Sequence, residues 1–226
     1  MAMDEKTFKI LSIDGGGIKG LYSAAILKRL EAKFNCLTSD HFDMICGTST
    51  GGLIALALTS KIAASEICQF YEEKGEIIFP KQSVITLPYW GKIDFGFFKQ
   101  IAKGGKYKQD GLKKSLIEIF GDRKIKDANN LLCIPSYSVT EAKPTVFKYD
   151  HKEGDLSRDN NALMTDIALA TTAAPTYFPM AELQHYNNQQ YIDGGVWANN
   201  PTLVGLLEAL NNFVGKNKSD NKISIL

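Results

Sequence analysis

Ser49 lies in Gly47-Thr48-Ser49-Thr50-Gly51, directly after the apolar run Phe42 to Cys46. This G-x-S-x-G pattern sets a serine on a sharp strand-to-helix turn with its hydroxyl exposed. The flanking glycines are needed because a side chain there would strike the neighbouring backbone. Ser49 is therefore a candidate nucleophile for acyl transfer, with Gly47, Thr48, Thr50 and Gly51 as its elbow. A second turn, Asp14-Gly15-Gly16-Gly17-Ile18-Lys19-Gly20, follows the apolar run Phe8 to Ile13. Its backbone N–H groups, unshielded by side chains, suit a carbonyl oxygen that becomes negative during reaction.

Each motif alone admits another reading. Gly15, Gly17 and Gly20 also fit G-x-G-x-x-G, which cradles a dinucleotide pyrophosphate. That reading wants an acid at the end of the second strand to hold the ribose, but Phe42-Asp43-Met44-Ile45-Cys46 runs straight into the serine turn, and Asp40 and Asp43 come too early. A phosphate loop needs Gly-Lys before Ser or Thr, and Lys19-Gly20-Leu21 does not supply it.

A serine nucleophile needs a proton acceptor, usually a histidine. The histidines are His41, His151 and His185, and none follows Asp193, so the order Ser, acid, His cannot be completed with that acid. His151, in Asp150-His151-Lys152-Glu153, reads as a solvated loop residue, and His185 falls in an expected hairpin strand. Asp193 is better placed: it ends a strand, as Ser49 does, and Gly194 and Gly195 let the backbone turn tightly beside it. By residue type alone it would be an ordinary turn aspartate.

The frame around these groups alternates strand and helix, which implies a parallel sheet. Phe8–Ile13 and Phe42–Cys46 read as strands. A helix from about Leu21 to Phe34 has Leu27, Leu30 and Phe34 on a core stripe. Leu53–Leu58, apolar almost all round, reads as a buried helix, and Ser65–Glu76 as a further helix with Ser65 as cap. Leu112–Phe120 is helical and stops at Gly121. Two strands, Leu131–Val139 and Thr145–Tyr149, flank a turn expected at Lys143-Pro144, and Ala162–Ala173 is helical up to Pro175. A hairpin is expected to turn at Asn187-Asn188. A last helix is capped by Asn200, with Leu203, Leu206, Leu207, Leu210 and Phe213 on one face. Lys222–Leu226 has strand composition, and the chain stops inside it, so a domain cut short at its C-terminus is expected.

With 226 residues, 44% hydrophobic and 23% charged, one soluble globular domain is expected over residues 1–226. A formal charge of +1 gives no support to a nucleic-acid partner. The polar start Met1-Ala2-Met3-Asp4-Glu5-Lys6 is no signal peptide, and a cytoplasmic location is expected. Cys36, Cys46, Cys68 and Cys133 are scattered without metal-ligand spacing and read as free thiols.

Taken together, Asp14–Gly20, Gly47–Gly51, Ala170-Thr171-Thr172-Ala173-Ala174-Pro175-Thr176-Tyr177-Phe178, Asp193-Gly194-Gly195 and Asn199-Asn200-Pro201 resemble the patatin-like phospholipases in content and order, from about Lys9 to the C-terminus. The resemblance implies an α/β three-layer fold, with a mainly parallel central sheet flanked by helices. It implies a Ser-Asp dyad of Ser49 and Asp193, with Gly194 and Gly195 as the supporting turn, an oxyanion hole from Gly15, Gly16 and Gly17, and neither metal nor cofactor. The implied substrates are membrane phospholipids or other acyl-ester lipids. Lys19 stands where the family commonly has Arg. The first two motifs look most like bacterial members, including the anti-phage effectors switched on by cyclic nucleotides, so such an activator is an expectation. A catalytically silent binding protein on the same fold is the alternative, against which the intact Ser49, Asp193 and glycine turn argue. Residues 80–108 mix Tyr89, Trp90, Phe95, Phe97 and Phe98 with Lys92, Lys99, Lys103, Lys106 and Lys108, which suits either a cap or peripheral membrane contact.

Overall fold

The computed structural model describes residues 6–78, 84–87, 91–94, 106–152 and 157–226. In chain order the described strands are β1 (Thr7–Ile13), β2 (Met44–Gly47), β3 (Val84–Leu87), β4 (Gly91–Asp94), β5 (Leu131–Ser138), β6 (Lys143–Phe147), β7 (Ala181–Leu183), β8 (Gln189–Asp193) and β9 (Lys222–Ile225). The helices are α1 (Gly20–Phe34), α2 (Thr50–Thr59), α3 (Ala64–Ile78), α4 (Lys106–Phe120), α5 (Met164–Thr171), α6 (Gly195–Ala198) and α7 (Thr202–Asn212). Seven strands form one sheet in the order β7-β8-β5-β2-β1-β9, with β6 also paired to β5. It is parallel through β9, β1, β2 and β5, and antiparallel where β8, β7 and β6 join. β3 and β4 form a separate antiparallel pair.

Side-chain alternation divides the sheet into two buried faces. Ile45 and Leu132 point into a large core with α1, α2, α3, α4 and α5, while Met44, Cys46 and Cys133 point into a smaller core completed by Ala209 of α7. Helix layers on both sides give the expected α/β three-layer arrangement. All ten residues of α2 are buried. Its Leu53, Ile54, Leu56 and Leu58 each contribute about 2 kcal/mol by burial, which fixes the helix that starts at the serine elbow.

Several local expectations change for tertiary reasons. Ser65 does not cap α3, which begins one residue earlier; the Ala64 N–H instead donates to Glu31 Oε2 at 2.8 Å, a carboxylate from α1. Phe34 is exposed, so the core stripe of α1 rests on Leu27 and the half-buried Leu30. In α7, Leu203, Leu207 and Leu210 are exposed; the helix approaches the sheet through Gly205 and Ala209, with Gly205 against Cys46 and Ile10. The helix opens at Thr202 with Pro201 in the cap position, one residue later than expected, and Asn200 Oδ1 accepts the Thr202 N–H at 3.0 Å from just before it. The turn between β5 and β6 falls before Lys143, at Ala142 with φ 51°, and Pro144 lies within β6, whose only described partner is β5. A proline there removes no bond from a second ladder. Asn187 and Asn188 do turn the chain between β7 and β8, both with positive φ. His185 sits on the short 3₁₀ turn Gln184–Tyr186 and not in a strand. The aromatic residues singled out in the 80–108 segment, Tyr89, Trp90, Phe95, Phe97 and Phe98, lie outside the described residues. Among the described residues no helix is long and apolar enough to cross a membrane.

Candidate active site

Two strand ends converge beside β5. Cys46, near the end of β2, pairs with Cys133, and Asp193, the last residue of β8, pairs with Ser136. Only Ile134 and Pro135 separate those two positions, so the segments leaving β2 and β8 meet there. The Pro135 carbonyl accepts the Thr171 hydroxyl at 2.7 Å. An N–H on the same residue would face the same way, so proline at this break costs no ladder bond.

After β2 the chain turns sharply at Ser49, with φ 56° and ψ −125°, a sparsely populated region for a non-glycine residue. The turn is tight enough that a Cβ on Gly47 would overlap the Gly51 carbonyl, and one on Gly51 would overlap the Ile13 carbonyl. The Ser49 hydroxyl donates to Asp193 Oδ2 at 2.6 Å. Asp193 is 5% exposed, and its Oδ1 accepts the Gly195 N–H at 2.7 Å. Burial pushes the Asp193 carboxyl above its usual range, against the opposing pull of the Ser49 and Gly195 hydrogen bonds. A carboxylate so placed is a better proton acceptor than one in water.

Three threonines secure the elbow. The Ser49 N–H donates to Thr171 Oγ1 at 3.0 Å, and that hydroxyl in turn donates to the Pro135 carbonyl. Thr48 Oγ1 donates to the Ala198 carbonyl at 2.7 Å, and Thr50 Oγ1 accepts the Gly16 N–H at 3.2 Å. Reading the sequence assigned no role to Thr171. Its only signal was membership of the stretch Ala170–Phe178, because periodicity cannot reveal a contact spanning 122 positions.

The glycine turn is held from the far end of the domain. Gly15 N–H donates to the Asn199 carbonyl at 3.0 Å, Asn199 Nδ2 to the Gly15 carbonyl at 3.3 Å, and Asn200 Nδ2 to Asp14 Oδ1 at 2.8 Å. Of the three glycine amides, Gly15 is engaged, Gly16 has the longer bond to Thr50, and Gly17, at φ 58°, bonds to none of the described residues. The α2 N-terminus also opens at Ser49, so its first-turn amides and positive dipole end would favour negative charge placed there.

His151 is not the solvated residue expected. Its side chain is 2% exposed, Nδ1 lies 2.9 Å from Glu208 Oε1, and Nε2 accepts the Leu132 N–H at 3.1 Å. Polar neighbours in sequence concealed a side chain turned inward to α7. His185 is exposed, with Nε2 3.0 Å from the Arg158 carbonyl. The Asp193 carboxylate accepts the Ser49 hydroxyl and the Gly195 N–H, and neither histidine takes part in those bonds. The cysteines are free, Cys36 exposed and the other three buried, and the described residues contain no cluster of metal-ligating side chains.

A family model described as patatin-like phospholipase matches residues 11–206. The chain is 34% identical over 235 residues to patatin-like protein 2 of Oryza sativa subsp. indica, covering 95% of this chain and 56% of that protein. It is 36% identical over 202 residues to a cGAMP-activated phospholipase of Pseudomonas aeruginosa, covering 89% and 56%, and 31% identical over 234 residues to one of Escherichia coli, covering 99% and 60%. It thus spans little more than half the length of these relatives. Among solved structures, VipD from Legionella pneumophila matches in fold with a TM-score of 0.50 at 13% identity, over 85% of this chain and 46% of that one. The chain belongs to the patatin-like phospholipase family.

Proposed function

We propose that the protein is a serine acyl hydrolase that cleaves fatty-acyl ester bonds of phospholipids or related lipids through a Ser49–Asp193 dyad. Ser49 Oγ attacks the ester carbonyl carbon while its proton passes to Asp193 Oδ2. The tetrahedral intermediate collapses as the proton is returned to the leaving alcohol, leaving an acyl ester on Ser49. Water then attacks that ester, giving its proton to Asp193, and the fatty acid is released with the Ser49 hydroxyl restored. The glycine turn stabilises the oxyanion: Gly17 offers the free amide, Gly16 can exchange its long bond to Thr50 for the substrate oxygen, and Gly15 anchors the loop on Asn199. Such donors contribute about 3 kcal/mol each.

The observation that carries this reading is the 2.6 Å bond from Ser49 to a buried carboxylate whose other oxygen accepts a backbone amide. Mass spectrometry of the products formed from phospholipid should show fatty acid released by the parent and none above background by Ser49→Ala. Hydrolysis by Ser49→Ala would overturn the assignment, and an inactive parent would favour a silent binding protein. In this reading a cytoplasmic enzyme meets its lipid at a membrane surface; the family supports the lipid substrate, and the names of two relatives support activation by a cyclic nucleotide. Equal hydrolysis with and without cGAMP would remove the activator from this account.

A further inference from the structure

The outer face of α1 carries a pattern that the chemistry at Ser49 does not use. Tyr22 is 73% and Ile26 44% exposed, and Arg29 and Lys33 are exposed beside them. Spacings of four, three and four put these side chains on one helical stripe, and Lys19 precedes it by one turn. The only acid in α1, Glu31, is turned away: its carboxylate accepts the Thr38 and Ala64 N–H groups. The stripe is therefore cationic and apolar with no acid of its own helix. It begins at the glycine turn, since α1 opens at Gly20.

Exposed apolar groups beside cations match the headgroup boundary of a bilayer, where tyrosine settles and Lys or Arg meets anionic lipid. Arg29 lies about 10 Å along the helix from Tyr22, comparable to the screening length of physiological salt, so it would still act on a surface that Tyr22 touches. With a net charge of only +1, attraction to such a surface must come from local patterning of this kind.

We propose that the outer face of α1 is the surface by which the protein docks on an anionic phospholipid bilayer. The proposal rests on the lipid-hydrolase reading for its biological sense, but its test does not depend on catalysis. The 226-residue chain is floated with vesicles of ether-linked phosphatidylcholine, alone or mixed with ether-linked phosphatidylglycerol, lipids that have no acyl ester to cleave. Binding is expected on the anionic vesicles and is weakened by salt. Arg29→Glu with Lys33→Glu should lower it roughly tenfold or more, and Tyr22→Ser with Ile26→Ser should lower it as well. Hydrolysis of a short-chain soluble ester and the melting temperature should stay at the parent's values in both variants. Failure of the parent to float, or variants that bind as the parent does, would overturn the proposal. So would variants whose soluble-ester activity falls together with binding, or whose only change is loss of a dimer, which would assign this face to a second copy of the chain. A parent that floats but hydrolyses no ester would sink the catalytic reading and leave the docking surface standing.

Discussion

Asp193 and Glu208 are both carboxylates held largely away from water, and their surroundings drive them in opposite directions. Asp193 is met by a neutral hydroxyl and a backbone amide, so burial prevails and its carboxyl is raised. Burial raises Glu208 too, but hydrogen bonds from His151 and Lys148 and their charge outweigh it and bring it down to about 2. Asn212 Nδ2 adds a further bond at 3.0 Å. Because His151 Nε2 accepts the Leu132 N–H, Nδ1 is the ring nitrogen that donates to Glu208, beside Lys148 as a second, cationic partner. The difference shows what a base requires in this fold: burial without a cation keeps the affinity for a proton, whereas burial with one makes a lock.

The comparison breaks most visibly if the two carboxylates are neutralised in turn. Asp193→Asn should cut ester hydrolysis by about 10³, because an amide cannot take the serine proton. Its melting temperature at neutral pH should be at or above the parent's. A raised carboxyl gives stability below its unfolded value that is lost as pH rises through its folded value, and the asparagine carries no such loss. For the same reason, the hydrolysis rate of the parent should fall with acid at a pKa above the ordinary aspartate value of 3.8. A profile flat through that region would remove Asp193 as the base.

Glu208→Gln should do the reverse, costing about 2 kcal/mol of stability while ester hydrolysis stays within a few fold. Glu208 is depressed in the fold, so its contribution is complete above the unfolded value near 4.5 and drains away as pH falls towards about 2. The melting curves of parent and variant should therefore converge at the acid end of that window. A constant gap would show that shape, and not charge, makes the lock.

Thr171→Val sharpens the account of the elbow. It leaves the Ser49 N–H without its acceptor and should lower kcat about tenfold with KM little changed, and Thr171→Ser should restore the rate. The smallest effect is expected at His185→Ala, within about 0.5 kcal/mol in stability and without change in rate, since this side chain is exposed. His151→Ala, by contrast, should destabilise, because it strips a hydrogen bond from Glu208 and the acceptor from Leu132.

What the sequence disclosed follows the same physical division. The elbow, the glycine turn and the buried α2 were legible because their causes are local: glycines where backbone passes close, and an apolar run with no polar face. The pairing of Ser49 with Asp193 was legible only through family resemblance, since it joins positions 144 residues apart. Contacts without a local signature stayed hidden. Glu31 replaces Ser65 as the α3 cap from another helix, His151 turns inward to a partner on α7, and Gly205 and Ala209, not the leucines, seat that helix on the sheet. In each case a long-range partner set the conformation, and neither periodicity nor local composition records such a partner.

The central claim is the dyad, and its most direct test is the rate at which a fluorophosphonate forms a covalent adduct, mapped by peptide mass spectrometry. The account predicts a single adduct on Ser49, slowed by about 10³ in Asp193→Asn and unaltered within a few fold in Glu208→Gln. An adduct on another residue, or labelling of Asp193→Asn at the parent's rate, would contradict it.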